Sequence, residues 1–534
     1  MSQSAVTVDD LTREVARRRT FAIISHPDAG KTTLTEKLLL YGGAINLAGA
    51  VRARKSRRQA TSDWMELERE RGISITAAAL QFDVRGCRLN LLDTPGHQDF
   101  SEDTYRTLMA VDSAVMVLDG AKGIEAQTLK LFKVCRMRRI PIFTFINKMD
   151  APSRDPLELM DEIEEMLGVS AAAMNWPIGE APDFQGLFDF RRQKVLLFER
   201  TEHGQRRAPV QVTDVHDERL SELVGRETQK RLTETAELLA VAGTSFDRKR
   251  FLAGEMTPVY FGSAVNNFGV DEFLDAILEL APPPEPRQSS AGPVDPVSRR
   301  FSGFVFKIQA NMDPRHRDQV AFMRVCSGRF ERDMVVVHPT TGKEIHLSRP
   351  HRLFGGEREV MDEAYPGDIV GLASKGAFEI GDCLADGGTL AFDPIPRFQP
   401  EHFATLSNED ISKYKQFHKG LQQLEAEGVI QVFAEPGAIR RQPVLAAVGE
   451  LQFEVLVSRL KMEYGVESRV ERLPHTHCRW IEGEPEDVAR IEWPVHGHML
   501  LEDRDGRPVV LFSSEWQMHY CTEKNLTIRF TTWG

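Results

Sequence analysis

Five short apolar runs, each closed by polar or glycine residues, constrain the fold of this chain more than any other feature. They are separated by longer stretches of helical period, a pattern typical of a parallel sheet flanked by helices. In open α/β sheets ligands bind at the carboxyl ends of the strands, so the loops that follow these runs are candidate sites. The runs are FAIIS (21–25), LNLLDTP (89–95), SAVMVLDG (113–120), IPIFTFINKMD (140–150) and VYFGSA (259–264).

Two proline-rich segments divide the rest of the chain, which at 534 residues is longer than one hydrophobic core usually organises. We predict an α/β domain over 1–281, a linker over 282–298, a β domain over 299–395 and an α+β domain over 396–534. Short alternating strands and Gly, Pro and Asp turns in the β domain are typical of a small β-barrel. No internal repeat is visible in the sequence.

The bulk composition excludes several classes of protein. With 67 Lys and Arg against 79 Asp and Glu, the formal charge of −12 disfavours wholesale wrapping around free nucleic acid. The six cysteines are scattered singly, as expected of reduced thiols. Because no apolar stretch reaches the roughly 20 residues of a membrane helix and the N-terminus lacks a signal-peptide core, we expect a cytoplasmic protein without membrane association.

The loop after the first run has the pattern of a phosphate-binding loop that opens a helix. Backbone N–H groups around Gly30 can cradle phosphates, Lys31 can reach the β and γ oxygens, and the Thr32 hydroxyl can ligate Mg²⁺. Ser25 stands in place of the usual first glycine. The predicted nucleotide-binding residues here are Ser25, His26, Pro27, Asp28, Ala29, Gly30, Lys31, Thr32 and Thr33.

A second element follows the strand LNLLDTP. Its Asp93 can hold a water on Mg²⁺, and the Gly96 N–H can sense the γ-phosphate. An ordinary Asp-Pro-Gly turn is improbable beside a phosphate-binding loop. The predicted residues are Asp93, Thr94, Pro95, Gly96 and His97.

A third element indicates which base is bound. The carboxylate of Asp150 matches the N1–H and N2–H₂ donors of guanine, a pair that adenine lacks, while Asn147 would tie the base side to the phosphate loop. The Lys148 stem would cover the ring, and a backbone N–H of the segment 262–264 would meet guanine O6. The predicted residues are Asn147, Lys148, Met149, Asp150, Gly262, Ser263 and Ala264.

Between these elements, Arg71-Gly72-Ile73-Ser74-Ile75-Thr76 resembles switch I of translational GTPases. The resemblance implies that Ser74 ligates Mg²⁺ beside Thr32, with Thr76 as a weaker candidate. It also implies that His97 is catalytic and orients the water that attacks the γ-phosphate. Pro27 and Ile73 then occupy the positions of an apolar gate, and Asp28 matches an acidic position that helps hold a monovalent cation.

Four segments in order, SHPDAGKTT, SDWMELERERGISIT, MDPRHRDQVAFMRVCSG and VGELQFEVLVSRLKMEYGV, resemble bacterial release factor 3, a family of translational GTPases. The resemblance implies a P-loop GTPase domain, a translation-factor β-barrel and an α+β C-terminal domain. It implies a monomer that binds the ribosome, through RNA and proteins, and hydrolyses GTP to GDP and phosphate there. Such a factor promotes dissociation of stop-codon-reading release factors after peptide release. With no obvious tRNA-mimicking arm, it should not read codons itself.

Several alternatives stay open. Another ribosome-associated GTPase, of elongation or quality-control type, fits the same motifs, whereas a nucleotide-sensing module with little turnover would not need His97. The basic run 51–58 is either a contact with ribosomal RNA or a solvated loop. A group of C-terminal residues invites a zinc interpretation, but no spacing matches a closed four-ligand site. These are His475, His477, Cys478, His496 and His498.

Overall fold

The first domain is built on a mainly parallel sheet in the order β2-β3-β1-β4-β5-β11-β6, in which only β2 is antiparallel to its neighbour. Its strands are β1 (Arg18–Ser25), β2 (Ala78–Val84), β3 (Cys87–Asp93), β4 (Ser113–Asp119), β5 (Ile142–Asn147), β6 (Ser170–Ala173), β7 (Asn175–Ile178), β8 (Gly186–Asp189), β9 (Lys194–Glu199), β10 (Arg206–Val212) and β11 (Met256–Phe261). Its helices are α1 (Val8–Ala16), α2 (Lys31–Tyr41), α3 (Ser101–Leu108), α4 (Ala126–Met137), α5 (Pro156–Leu167), α6 (Glu218–Val224), α7 (Arg226–Ala242), α8 (Arg248–Leu252) and α9 (Val270–Leu280).

This computed structural model describes most of the chain. The described residues are 7–44, 68, 74–179, 184–199, 206–212, 215–312, 318–338, 342–354, 357–374, 376–387, 390–395, 399–437 and 442–532. Among them, no helix is long and apolar enough to cross a membrane.

The parallel strands form where the sequence has continuous apolar runs, because both faces of this sheet are covered. Every residue of β4 and of β5 is buried. Helix α5 shows how local signals set element ends: Asp155 caps it, Pro156 opens it, and Gly168 ends it in the left-handed conformation with φ of 65°.

A small antiparallel sheet, β10-β9-β8-β7, extends the first domain beyond the parallel pattern. The sequence interpretation of residues 21–280 did not include it. Its strands are short, and Trp176 packs edge-on against Phe261 of the main sheet at 5.3 Å between ring centroids. The unit is therefore attached to the same core.

The second domain is a barrel-like set of antiparallel strands. They are β12 (Ser302–Ala310), β13 (Gln319–Ser327), β14 (Phe330–Glu331), β15 (Val335–Val337), β16 (Glu344–His346), β17 (Pro350–Phe354), β18 (Glu357–Val360), β19 (Glu363–Ala364), β20 (Ile369–Ser374) and β21 (Cys383–Ala385). Buried ion pairs join it to the first domain: Arg324 lies 2.7 Å from Asp112, and Arg18 lies 2.8 Å from Asp368.

The third domain repeats one topology, β-α-β-β-α-β, twice in succession. The first copy holds β22 (His402–Asn408), α10 (Tyr414–Ala426), β23 (Gln431–Phe433), β24 (Val444–Ala447), α11 (Leu451–Tyr464) and β25 (Ser468–Arg472). The second holds β26 (His477–Glu482), α12 (Pro485–Val488), β27 (His498–Glu502), β28 (Pro508–Phe512), α13 (Glu515–Lys524) and β29 (Arg529–Thr531). The strand orders, β23-β24-β22-β25 and β27-β28-β26-β29, correspond strand for strand.

The two sheets of this domain pack face to face. Their shared core includes Phe403 and Phe433 from the first copy and Trp480 and Leu511 from the second. Separate apolar clusters lie between each sheet and its own helices. The domain thus has four layers, with helices outside and both sheets inside.

Candidate nucleotide site

The loop after β1 and the start of α2 have the backbone that a phosphate-binding loop needs. Asp28 and Gly30 both have positive φ, 66° and 89°. A Cβ on Gly30 would lie 2.3 Å from Nδ2 of Asn147, so no larger residue fits there without displacement. Lys31 and Thr32 begin α2, whose N-terminal N–H groups face this loop.

Asn147 joins three of the predicted loops. Its Nδ2 donates to the Ala29 carbonyl at 2.8 Å, and its Oδ1 accepts from the Ala264 N–H at 2.9 Å. Because β1, β5 and β11 are neighbours or near neighbours in one parallel sheet, their carboxyl ends meet here. The amide fixes the phosphate loop relative to the segment 262–264.

Asp150 and Lys148 each have a partner that the sequence interpretation did not name. Asn266 donates to Oδ2 of Asp150 at 2.6 Å, and Lys148 Nζ lies 2.8 Å from Oδ2 of Asp119. Burial by itself raises the pKa of Asp119. Hydrogen bonds from Lys148 and from the Ala121 N–H lower the pKa and together outweigh burial, so the net shift is downward. Asp119 therefore stays ionised and fixes the Lys148 stem.

A compact polar cluster lies where the phosphates would sit. Lys31, only 6% exposed, places Nζ 2.6 Å from Oδ1 of Asp93 and 3.4 Å from the Ser74 hydroxyl. The other Asp93 oxygen, Oδ2, is buried and has no hydrogen-bond partner among the described residues. Since buried carboxylate oxygens are normally paired, this one is available to a ligand.

The same cluster fits a magnesium ion by its chemistry. Mg²⁺ prefers hard oxygen donors and keeps several waters. Ser74 offers a hydroxyl oxygen, as does Thr32, which follows Lys31 in the chain, and the unpartnered Asp93 Oδ2 offers a carboxylate oxygen that can accept from a metal-bound water. No nitrogen or sulfur ligand is needed.

His97 lies between the turn Asp93–Gly96 and a short 3₁₀ helix, Gln98–Phe100. A Cβ on Gly96 would lie 3.6 Å from the backbone N of Pro27, so this turn lies against the phosphate loop. The half-buried His97 ring accepts from the Asp99 N–H at Nδ1, 3.3 Å away. That hydrogen bond leaves Nε2 for another partner.

His26, also within the phosphate loop, is fully buried. Its Nε2 lies 3.3 Å from Oε2 of Glu125, and neither ring nitrogen has a hydrogen bond among the described residues. Burial lowers the pKa of His26, so the neutral imidazole is favoured. The structure thus places His26 as a packed side chain of the loop.

The switch segments contact the third domain directly. Oδ2 of Asp99 accepts from the Leu451 N–H at 2.8 Å, at the start of α11. Ile75, Phe100 and Val455 form one buried apolar cluster. Neither contact was predicted, because no local pattern marks a partner that lies about 350 residues away along the chain.

Two predicted groups lie wholly or partly outside the described residues. These are the basic run 51–58 and the segment 71–73, which includes Ile73 of the expected gate. Downstream of it, the N–H groups of Ile75 and Thr76 donate to Oε1 of Glu68 at 2.9 and 3.0 Å.

The C-terminal histidines do not assemble a metal site: among the described residues, no group of three or more His, Cys, Asp or Glu could hold a metal ion. Burial, then the nearby His498, lowers the pKa of His475. His498 itself stacks on Trp493, with 5.0 Å between ring centroids and 8° between planes. His475 is thus buried and His498 is packed against a ring, whereas His496 is exposed.

A parallel sheet whose strand ends carry a phosphate loop, an Asp-Thr-Pro-Gly turn and a guanine-type Asn-Lys-x-Asp loop, followed by a barrel-like domain, defines a translational GTPase. Residues 16–283 match the family model described as "Elongation factor Tu GTP binding domain", and residues 300–387 match "Elongation factor G domain 2". A solved structure from Thermus thermophilus has a similar fold, with a TM-score of 0.68 at 21% identity over 88% of this chain and 71% of that one.

The third domain identifies the family. Residues 392–522 match "Class II release factor RF3, C-terminal domain". Peptide chain release factor 3 of Gloeobacter violaceus is 57% identical over 97% of this chain and 98% of its own length. The one from Symbiobacterium thermophilum is 55% identical over 97% and 98%. The chain belongs to the peptide chain release factor 3 family, and it is a GTP-hydrolysing factor of translation termination.

Proposed function

We propose that this chain binds GTP with magnesium between Lys31, Asp93 and Asp150, and that it acts on the ribosome to promote dissociation of stop-codon-reading release factors after peptide release. The single observation that carries the proposal is the cluster of Lys31, Asp93 and Ser74 beside a loop that Asn147 ties to the base-binding side. The division into domains at 281, 298 and 395 is part of the same proposal.

Each nucleotide contact is assigned to a loop already in position. The N–H groups at 28–33 and the Lys31 ammonium would hold the phosphates, and the Lys31 ion pair with Asp93 would open to admit them. Asp150 would accept from guanine N1–H and N2–H₂, while Lys148 covers the ring and the segment 262–264 meets O6. Asn266, which already donates to Asp150, orients that carboxylate.

Thr32 and Ser74 would ligate magnesium directly, and Asp93 would hold it through a water. When bound, the ion would neutralise phosphate charge that develops during hydrolysis. Asp28, exposed at the loop tip, is the proposed neighbour of a monovalent cation.

His97 is assigned the orientation of the attacking water. Phosphoryl transfer needs positioning and charge stabilisation more than covalent chemistry, so one imidazole nitrogen aimed at a water is sufficient. The Asp99 N–H occupies Nδ1, which leaves Nε2 for that water. Exclusion of bulk water from the site would then depend on Pro27 and Ile73.

The expected monomeric state and cytoplasmic location stay predictions.

Release-factor dissociation from terminated ribosomes tests the proposal. A fluorescent stop-codon-reading release factor is bound to ribosomes after peptide release, and its departure is followed with and without this protein, GTP, GDP or a non-hydrolysable GTP analogue. We expect acceleration that requires the triphosphate. Departure at the same rate in all mixtures would refute the assigned role.

A further inference from the structure

The N-terminal half of α10 carries two stripes at the surface: an aromatic one, in which Tyr414 is exposed and His418 half-buried, and a basic one. Tyr414 and His418 are one helical turn apart, and their rings meet edge to face at 4.1 Å between centroids. Lys415 and Lys419 form the adjacent stripe at the same spacing. Phe417 and Leu421, on the opposite side, are buried in the core of the domain.

Apart from the half-buried His418, the side chains of the two stripes are exposed. Tyr414 is 61% exposed, and Ile411, just before the helix, is 88% exposed. Lys415 and Lys419 are exposed, and neither makes an ion pair within the part of the chain that the structure describes. Lys413 donates to the Gly465 carbonyl at 2.5 Å, which fixes the start of the helix against the end of α11.

The charge of this surface is unlike that of the whole protein. The segment Lys413–Lys419 holds three lysines and no acidic residue, whereas the chain has a formal charge of −12. The nearest preceding carboxylate, Asp410, accepts from the Ser412 N–H at 2.9 Å and lies 4.0 Å from Lys413. No Asp or Glu lies within four positions of Lys415 or Lys419 along the chain.

We propose that Tyr414, Lys415, His418 and Lys419 form a contact for ribosomal RNA, in which an unpaired base stacks on Tyr414 while the lysines meet backbone phosphates. This inference rests on the proposed action on the ribosome. Aromatic rings beside unpaired cations fit single-stranded or loop nucleotides, because every base has a face to stack and every nucleotide carries a phosphate. An acidic protein segment would use the lysines but would gain little from the exposed ring.

The test compares binding of full-length variants to ribosomes with a non-hydrolysable GTP analogue, over a range of potassium chloride concentrations. The basic stripe is removed by Lys415→Gln with Lys419→Gln. The control is Lys130→Gln with Lys133→Gln, two exposed lysines on α4 that likewise make no ion pair in the described structure and have no ring beside them.

We expect the α10 lysine variant to bind ribosomes more weakly. The slope of log affinity against log salt concentration should also be shallower by about 1.4, because two contacts to single-stranded RNA are lost. The control should keep the wild-type slope. Tyr414→Ala should weaken binding at least about fivefold through lost stacking, while Tyr414→Phe, which keeps the ring, should bind like wild type. Thermal unfolding and GTP hydrolysis without ribosomes should not change in any of them.

Ultraviolet crosslinking identifies the partner. After irradiation of the complex and nuclease treatment, cleavage following Glu409 and Glu425 releases the fragment 410–425, whose mass should include a nucleotide adduct. Wild-type affinity in the α10 lysine variant overturns the proposal. So does weakened binding with this fragment crosslinked to a ribosomal protein instead. Failure of wild type and control alike to bind ribosomes would instead refute the proposed function.

Discussion

Replacing Arg459 by leucine should destabilise the third domain strongly, because this side chain neutralises two carboxylates in the interior. Arg459 is 1% exposed on α11. Its guanidinium donates to both Glu427 oxygens, at 2.8 and 3.1 Å, and to both Glu463 oxygens, at 3.1 and 2.5 Å. Asn311 of the second domain also donates to Glu463, at 2.8 Å, so the cluster spans two domains.

The size of the stability loss follows from the buried carboxylates that remain without a partner. Removing one partner of a buried ion pair costs about 3–5 kcal/mol, since the remaining charge is uncompensated. Removing both partners costs much less, so Arg459→Leu with Glu427→Leu should be more stable than Arg459→Leu alone. Arg469→Leu is the exposed control: its side chain is 68% exposed beside Glu471, and such pairs contribute less than about 1 kcal/mol.

The pH dependence gives an independent signature. Burial raises the pKa of Glu427 even with Arg459 present. Without Arg459 the pKa must rise further. The unfolded pKa of a glutamate is about 4.3. A carboxyl whose folded pKa lies above this value does not reduce the stability of the fold below about pH 4.3, but it destabilises the fold increasingly as the pH rises to the folded pKa. The loss in free energy of unfolding caused by Arg459→Leu should therefore be smaller at pH 5 than at pH 8.

Urea unfolding followed by tryptophan fluorescence measures this, since Trp480, Trp493 and Trp516 all lie in the third domain. We expect a lower transition midpoint for that domain in Arg459→Leu and partial recovery in the double variant. The reasoning is refuted if Arg459→Leu costs less than the exposed control, or if its deficit does not change between pH 5 and pH 8.

Three further predictions concern the nucleotide site. His97→Ala should lower ribosome-stimulated GTP hydrolysis at least about 100-fold with guanine nucleotide binding retained, and a normal stimulated rate would contradict the catalytic assignment. Asp150→Asn should shift preference from GTP toward xanthosine triphosphate, measured by competition binding; unchanged selectivity would count against base recognition by Asp150. Gly30→Ala should weaken GTP binding at least about tenfold, because its φ of 89° and the 2.3 Å approach to Asn147 leave no room for a methyl group. Wild-type affinity in a calorimetric titration would show that the loop adapts to the methyl group.

The loops of the nucleotide site could be predicted because their chemistry is local. Three to nine consecutive residues at the end of a strand specify each loop, and the parallel sheet places strand ends together. Partners of those residues were not predictable. Asn266 lies 116 positions from Asp150, and Asp119 meets Lys148 only through the side-by-side pairing of β4 and β5.

The third domain was predicted only as α+β for a different reason. Strands such as β23 (Gln431–Phe433) and β29 (Arg529–Thr531) have three residues, too few for an alternating pattern to show. Helix α12 has four residues, too few to show the helical period that marks its counterpart α10 in the first copy. The two copies share one topology, but no repeat is visible in the amino-acid sequence.

The face-to-face packing of the two sheets has a consequence for how the third domain comes apart. Strands β22 and β24 supply Phe403, Val444 and Ala446 to a core whose other half belongs to β26–β28. A chain cut after Arg472 would retain a complete first copy yet present that apolar face to water. The two copies are thus halves of one cooperative unit, and loss of residues 473–534 should yield an aggregating fragment instead of a smaller folded factor.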